Sequence, residues 1–270
     1  MKRVLGRKQN MKPADEKIWW DVINNIEEYV SRDEVARATD IARARILKMT
    51  SGKKVAYTWS GGKDSLVISE LCQSVGIRSC QCFYTGLEFP AWEKFIFDNA
   101  PAGCEMIYVD FNLDFLAQHP EMIFATGRTS QIWNRKIQQE NFRNYLREKN
   151  LDVVIIGHRT IDGNVCGKNG VRIQKSKGIL YAPIYDWSHE LVFAFLHYNK
   201  IELPFIYKMP RGFRHGTHNW AERSTSTIQE GYSEIYEIDP SVVIQAAEKL
   251  PSARKFLEEM KNANGHKENK

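Results

Sequence analysis

Tyr57-Thr58-Trp59-Ser60-Gly61-Gly62-Lys63-Asp64-Ser65 decides how this chain is read. The residues before it, Lys54–Trp59, form a short apolar run with strand character. The residues after it place Leu66, Val67, Leu71, Cys72 and Val75 at helical spacing. The hexad Ser60–Ser65 therefore sits where a strand turns into a helix. Two glycines let a backbone turn tightly and approach a ligand closely. A helix that starts there directs free N–H groups and a positive dipole end at the turn, an arrangement suited to phosphate. Ser60 and Ser65 add hydroxyls and Lys63 adds charge. Asp64 is the residue type that holds Mg²⁺ between phosphate oxygens. The hexad is not a Walker A loop, and the later Gly163-Asn-Val-Cys-Gly-Lys-Asn has the wrong spacing for one.

Outward from this turn, strands and helices alternate. Strands are expected at Ser79–Phe83, Glu105–Val109, Asp152–Gly157 and Ile179–Tyr181. Helices are expected over Ala91–Asn99, Gln131–Lys149 and Ser188–Tyr198. Such alternation predicts an α/β fold, a mainly parallel sheet with helices on both faces and ligands beyond the carboxyl ends of its strands. Upstream, 1–15 read as a loose basic arm. Ile18, Trp19, Val22, Ile23 and Ile26 suggest one helix, and Val35, Ile41, Ile46 and Leu47 a second. The stretch 158–178 reads as a long polar loop and 204–233 as irregular. A single terminal helix is expected from Ser241 to about Lys261. This gives three consecutive parts: an arm with helices over 1–50, a nucleotide-binding α/β domain over 51–200, and a C-terminal region over 201–270.

Composition excludes several classes. Of the 270 residues, 43% are hydrophobic and 26% charged, an ordinary balance for a buried core. No apolar run approaches the roughly 18 residues of a membrane span, and the basic start lacks the apolar stretch of a secretory signal, so a cytoplasmic protein is expected. Five cysteines without a CxxC pair argue against a disulfide framework or structural zinc. The net charge of +5 suits a nucleic-acid partner without demanding one.

Further motifs follow the hexad in order. They are Thr85-Gly86-Leu87-Glu88-Phe89-Pro90, Arg135-Lys136, Gly157-His158-Arg159 with Asp162, Pro183-Ile-Tyr-Asp186-Trp187-Ser188, and Gly212-Phe-Arg-His-Gly216. Together with Ser60–Ser65 they resemble the PP-loop ATP pyrophosphatase superfamily, in its phosphoadenylyl-sulfate (PAPS) reductase-like branch. The resemblance covers roughly residues 54–224 and implies an adenine nucleotide alpha hydrolase-like, Rossmann-like fold with helical additions at both ends. It implies ATP and Mg as cofactors, with Ser60, Gly61, Gly62, Lys63, Asp64, Ser65, Thr85, Gly86, Lys136, Gly157 and Arg159 around the nucleotide. Lys63, Asp64 and Arg159 are the expected catalytic set, with Arg159 on the α-phosphate or developing charge and Asp64 on the metal. Cys166, in the glycine-rich loop near Lys168 and Arg159, is a candidate thiolate and persulfide carrier.

Departures from the branch redirect the expected activity. Its reductases carry a catalytic cysteine near the C-terminus, whereas nothing after Cys166 is cysteine here. Iron–sulfur members have paired cysteines where this chain has Gln131-Ile132 and Thr217-His218-Asn219-Trp220, so no cluster is expected. Tyr84 replaces the family's aspartate. Lys63 and Asp64, in contrast, are both kept. These features imply an ATP-using enzyme that adenylylates an acceptor and releases pyrophosphate, for sulfur transfer or nucleic-acid modification, with a sulfur donor or partner protein. The competing readings are a sulfonucleotide reductase and a non-catalytic ATP- or nucleic-acid-binding partner in a larger assembly.

Overall fold

The structure, a computed structural model, describes every residue except 9–10, 13, 134–138, 175–177, 224 and 266–270. The chain forms two compact units, each assembled from three stretches. The first takes Met1–Phe83, Asp98–Ile107 and Phe142–Thr217; the second takes Tyr84–Phe97, Tyr108–Asn141 and His218–Lys270. Each unit is thus interleaved along the chain rather than formed from one consecutive stretch. The N-terminal helices belong to the same unit as the sheet, because their apolar faces are buried within that unit.

A six-stranded sheet carries the fold: β1 (Val55–Thr58), β2 (Cys80–Tyr84), β3 (Glu105–Tyr108), β4 (Val153–Ile155), β5 (Val171–Ile173) and β6 (Ile179–Tyr181), in the order β3-β2-β1-β4-β6-β5. β1 lies parallel to β2 and β4, with Tyr57 opposite Cys80 and Ala56 opposite Val154; β4 lies parallel to β6. β5 pairs antiparallel with β6, Arg172 opposite Leu180, and turns part of the expected 158–178 loop into an edge strand.

Alternation along the strands sends side chains to two buried faces. On one face Ala56, Val154, Ile156, Leu180 and Ala182 pack with Tyr145 and Leu146 of a helix over Gln139–Glu148. On the other, the Tyr57 hydroxyl lies 3.3 Å from Ser69 in a helix over Lys63–Ser74. In chain order, the helices of the first unit are α1 (Asp15–Asn24), α2 (Arg32–Thr50), α3 (Lys63–Ser74), α7 (Gln139–Glu148), α8 (His189–Tyr198) and α9 (Gly212–His215). Those of the second are α4 (Pro90–Asn99), α5 (Leu113–Gln118), α6 (Gly127–Trp133), α10 (Ile228–Ile238), α11 (Pro240–Lys249) and α12 (Pro251–Gly265). α4 and α7 each cross the boundary of the units by a few residues.

α2 opens with a reciprocal capping box between Ser31 and Glu34. It buries Val35, Thr39, Ala42 and Ile46, whereas Ile41 and Leu47, like Ile18 of α1, are solvent-exposed. Arg45 then forms a bidentate pair with Asp186, 2.9 Å at each oxygen. α8 is N-capped by Ser188 and nearly all apolar, so it is buried along most of its length between α1, α2 and α3. In the second unit, Phe124, Trp220, Tyr232 and Phe256 form a continuous aromatic core. The expected terminal helix is two helices, broken at Leu250 where Pro251 opens the second. Part of the expected irregular region is helical, in α9 and the start of α10.

Candidate active site

The Ser60–Ser65 turn leaves the carboxyl end of β1 and enters α3. Gly61 adopts φ of +70°, a left-handed conformation that glycine takes without penalty. Gly62 has an ordinary φ of −75°, so its requirement is space. A Cβ there would meet Thr217 Cγ2 at 2.7 Å and the Tyr207 hydroxyl at 3.2 Å. The turn is braced from inside: Ser60 N–H donates to Ser65 Oγ at 3.1 Å, and that hydroxyl donates to Gly62 O at 2.8 Å. Lys63 N–H donates to Tyr207 Oη at 3.0 Å. Asp64 and Ser65, in the first turn of α3, direct their N–H groups away from any intrahelical partner. Together with the dipole of a helix of 12 residues, they make this end attractive to an anion.

Behind the turn lies a buried ionic cluster. Lys63 Nζ lies 2.6 Å from Asp64 Oδ2, and Arg159 Nε lies 2.9 Å from Asp64 Oδ1. Burial pushes the Lys63 ammonium down, with Asp64 opposing that shift. Burial would raise the Asp64 carboxyl, but Arg159 and Lys63 outweigh it and hold it far below the usual carboxylate range. Arg159 is fully buried, and its other two nitrogens are also directed at protein. Nη1 donates to Trp187 O at 3.3 Å, and Nη2 lies 2.9 Å from Asp162 Oδ2 and 3.0 Å from His189 Nδ1. Because a guanidinium only donates, His189 Nδ1 accepts and Nε2 carries the proton. Burial, then Arg159, pushes His189 down to about 2, which keeps the ring neutral. Arg159, expected on the α-phosphate or developing charge, is thus held inside the protein against Asp64 and Asp162.

Gly157, at the end of β4, meets this cluster by backbone approach. A Cβ there would lie 3.1 Å from Asp64 Cβ and 3.2 Å from its carbonyl carbon. Thr85 and Gly86 open the second unit, and their bonding is internal to it. The Glu88 carboxylate accepts from the N–H groups of Thr85 and Gly86 at 3.1 and 2.8 Å, and Asn219 Nδ2 donates to Thr85 Oγ1 at 3.3 Å. Arg135 and Lys136 lie outside the described residues.

Cys166 is buried in the core cluster with Ala56, Val154, Ile156 and Leu180, and its thiol donates to Asn164 O at 3.6 Å. Burial pushes this thiol up, with Arg172 and Arg159 opposing. The loop thiol expected to be activated is thus a packed one, because the apolar underside of its loop faces α7 and the sheet. All five cysteines are free thiols, and Cys80 Sγ lies 3.1 Å from Cys104 Sγ.

Three contributors carry no local signal in the sequence: His189, Tyr207 and Thr217. Tyr207 is placed by a close backbone approach, since a Cβ on Gly212 would meet Ile206 O at 2.4 Å, and by stacking on Phe213 at 5.6 Å.

Solved structures resemble the chain at low sequence identity, two nucleotide-acting enzymes among them. PAPS reductase from Candida auris, in a phosphate complex, is 13% identical, with a TM-score of 0.48 over 66% of this chain and 92% of that one. The NH3-dependent NAD synthetase from Campylobacter jejuni, in complex with nitrate, is 14% identical, with a TM-score of 0.46 over 82% of this chain and 96% of that one. No curated protein sequence matches the chain. The phosphoadenosine phosphosulfate reductase domain matches residues 54–215, a span that starts at the first strand and runs through the turn, the ionic cluster and Tyr207, and the chain accordingly belongs to that domain family.

Proposed function

We propose that this protein binds ATP with Mg²⁺ at the Ser60–Ser65 turn and adenylylates an acceptor, releasing pyrophosphate, in sulfur transfer or nucleic-acid modification. The observation that carries this reading is the convergence of an intact glycine turn, a helix start and Asp64 held between two cations. Family membership supports chemistry on a nucleotide and leaves its type open.

In this reading an acceptor nucleophile attacks the α-phosphorus and the bond to the β-phosphate oxygen breaks, leaving pyrophosphate. Negative charge grows on the departing oxygens. The first-turn amides of α3 and the Lys63 ammonium supply fixed positive charge there, which costs no reorganisation during reaction. Asp64 is the residue that would hold magnesium. Its carboxylate is the acidic group of the turn and its side chain is partly exposed, which fits a hard cation that takes oxygen ligands. Once bound, magnesium neutralises charge between phosphate oxygens. Arg159 acts as a positioning residue, fixing the Asp64 rotamer from behind. A reductase reading would need a thiolate at the site, and the nearby candidate, Cys166, is buried with its thiol pushed up.

The test is to incubate the protein with ATP, Mg²⁺ and a panel of acceptors, including sulfide and nucleic acid, and follow pyrophosphate and AMP by mass. Lys63→Ala and Asp64→Ala are expected to lose pyrophosphate release by at least about 100-fold. Full activity in both variants removes the mechanism.

A further inference from the structure

Cys80 opens β2, and Cys104 stands in the turn that leads into β3, where its N–H donates to Pro101 O at 2.9 Å. Both belong to the first unit. β2 and β3 are neighbours in the sheet, so their starting ends bring together two thiols that are 24 positions apart in the chain. The Cys80 thiol donates to Cys104 Sγ at 3.1 Å. The sulfurs need to close by only about 1 Å to reach bonding distance. The backbone around Cys80 is fixed from β1: Tyr57 N–H donates to Ser79 O at 3.0 Å, and Trp59 N–H donates to Gln81 O at 2.8 Å.

The two thiols differ in access and in which of them holds its proton. Cys80 is 2% exposed, whereas Cys104 is partly exposed beside the exposed turn residues Ala102 and Gly103. The hydrogen bond from Cys80 holds the Cys104 thiol below its ordinary range, with burial and Glu105 opposing. The same bond, together with burial, pushes the Cys80 thiol up. A reachable sulfur of thiolate character, backed by a second thiol, suits an oxidisable pair.

We propose that Cys80 and Cys104 form a reversible oxidation site that hydrogen peroxide converts into a disulfide within the chain. The Cys104 sulfur attacks one peroxide oxygen, the O–O bond breaks, and the departing hydroxide takes up a proton, leaving a sulfenic acid. The Cys80 sulfur then attacks the Cys104 sulfur, the S–O bond breaks, and hydroxide leaves with the Cys80 proton as water. Two thiols give up two electrons in all, and the peroxide becomes two waters. The proposal is independent of the ATP reading. The new bond closes a ring that contains all of α4 and the Tyr84–Phe97 excursion into the second unit, and so ties the point where the chain leaves the first unit to the point where it returns.

The test treats the reduced, folded full chain with hydrogen peroxide, blocks the remaining thiols with N-ethylmaleimide, and maps the tryptic peptides by mass. Two of the five thiols are expected to disappear as a linked pair, the peptide of Cys104 joined to the one that carries Cys80 and Cys82, and to return with dithiothreitol. Labelling of Cys104 should fall at least about tenfold on oxidation. Cys82→Ser is expected to keep the link, which assigns it to Cys80. Cys80→Ser is expected to lose it and to stop at a Cys104 sulfenic acid that dimedone traps. Unchanged labelling of Cys104 overturns the proposal, as does oxidation of Cys104 to sulfinic acid with Cys80 still free. A link lost in Cys82→Ser, or one formed between two copies of the chain, also overturns it. If Cys80→Ser does not fold, the maps of the native chain and of Cys82→Ser decide alone.

Discussion

Placing a methyl group on Gly62 is the sharpest perturbation the cradle allows. Its backbone φ of −75° is one any residue adopts, so Gly62→Ala introduces no dihedral strain. The whole effect comes from the new Cβ, 2.7 Å from Thr217 Cγ2 and 3.2 Å from Tyr207 Oη. The first distance is about 1 Å inside an ordinary carbon–carbon contact. Either Thr217 rotates, or the Tyr207 ring retreats and gives up its 3.0 Å bond from Lys63 N–H. Overpacking of this kind costs about 1–3 kcal/mol. Urea unfolding of Gly62→Ala should show a lower midpoint with an unchanged slope. Thr217→Ser removes Cγ2 alone, so the double variant Gly62→Ala/Thr217→Ser should recover at least half of the loss, a coupling expected only for residues in contact. A Gly62→Ala protein as stable as the parent refutes this packing account. So does a double variant whose losses simply add.

Three other outcomes follow from burial and bonding. His158 is pushed down to about 4, by burial first and then by Arg172, and His189 to about 2. Both folded values lie below the ordinary 6.5, so the unfolded chain takes up protons first. The stabilisation is fully present above pH 6.5 and is lost as pH falls toward 4 for His158 and toward 2 for His189. At pH 5 each should cost about 2 kcal/mol, and equal unfolding free energies at pH 7.5 and pH 5 would contradict it. Cys104 is partly exposed, with its thiol lowered by a hydrogen bond from Cys80, whereas the Cys166 thiol is buried and raised. Iodoacetamide should label Cys104 well before Cys166 in the folded protein, and mass mapping that finds the reverse order would be inconsistent with this packing. Glu190→Ala removes the acceptor of the Val4 and Leu5 amides and should speed hydrogen exchange across residues 2–8; unchanged exchange would mean the arm is held by something else.

The parts readable from sequence were those whose signal is local. The turn at Ser60–Ser65 concentrates its glycines, hydroxyls and charges within one junction, and the apolar runs around Ala56, Val154 and Leu180 mark strands buried on both faces. What stayed hidden depends on distant partners. An arginine at a strand end reads as exposed in sequence, whereas Arg159 is fully buried with Asp64, Asp162, His189 and Trp187 O around its guanidinium. β5 leaves no trace in the sequence, because three residues at a sheet edge have no periodicity to detect. Ile41 and Leu47 help to mark α2 as a helix but lie outside its buried stripe, which runs through Thr39 and Ala42. Polar residues around Cys166 mask a thiol that points inward.

The interleaving of the two units has an evolutionary reading. The chain leaves the sheet-bearing unit after Phe83, at the end of β2, and again after Ile107, at the end of β3. Both departures are appended to strand ends, so excursions of different length can be spliced there while the pairing of β1, β2 and β4 keeps its register. Changes in these detours can therefore leave the turn that follows β1 and its packing within the first unit untouched.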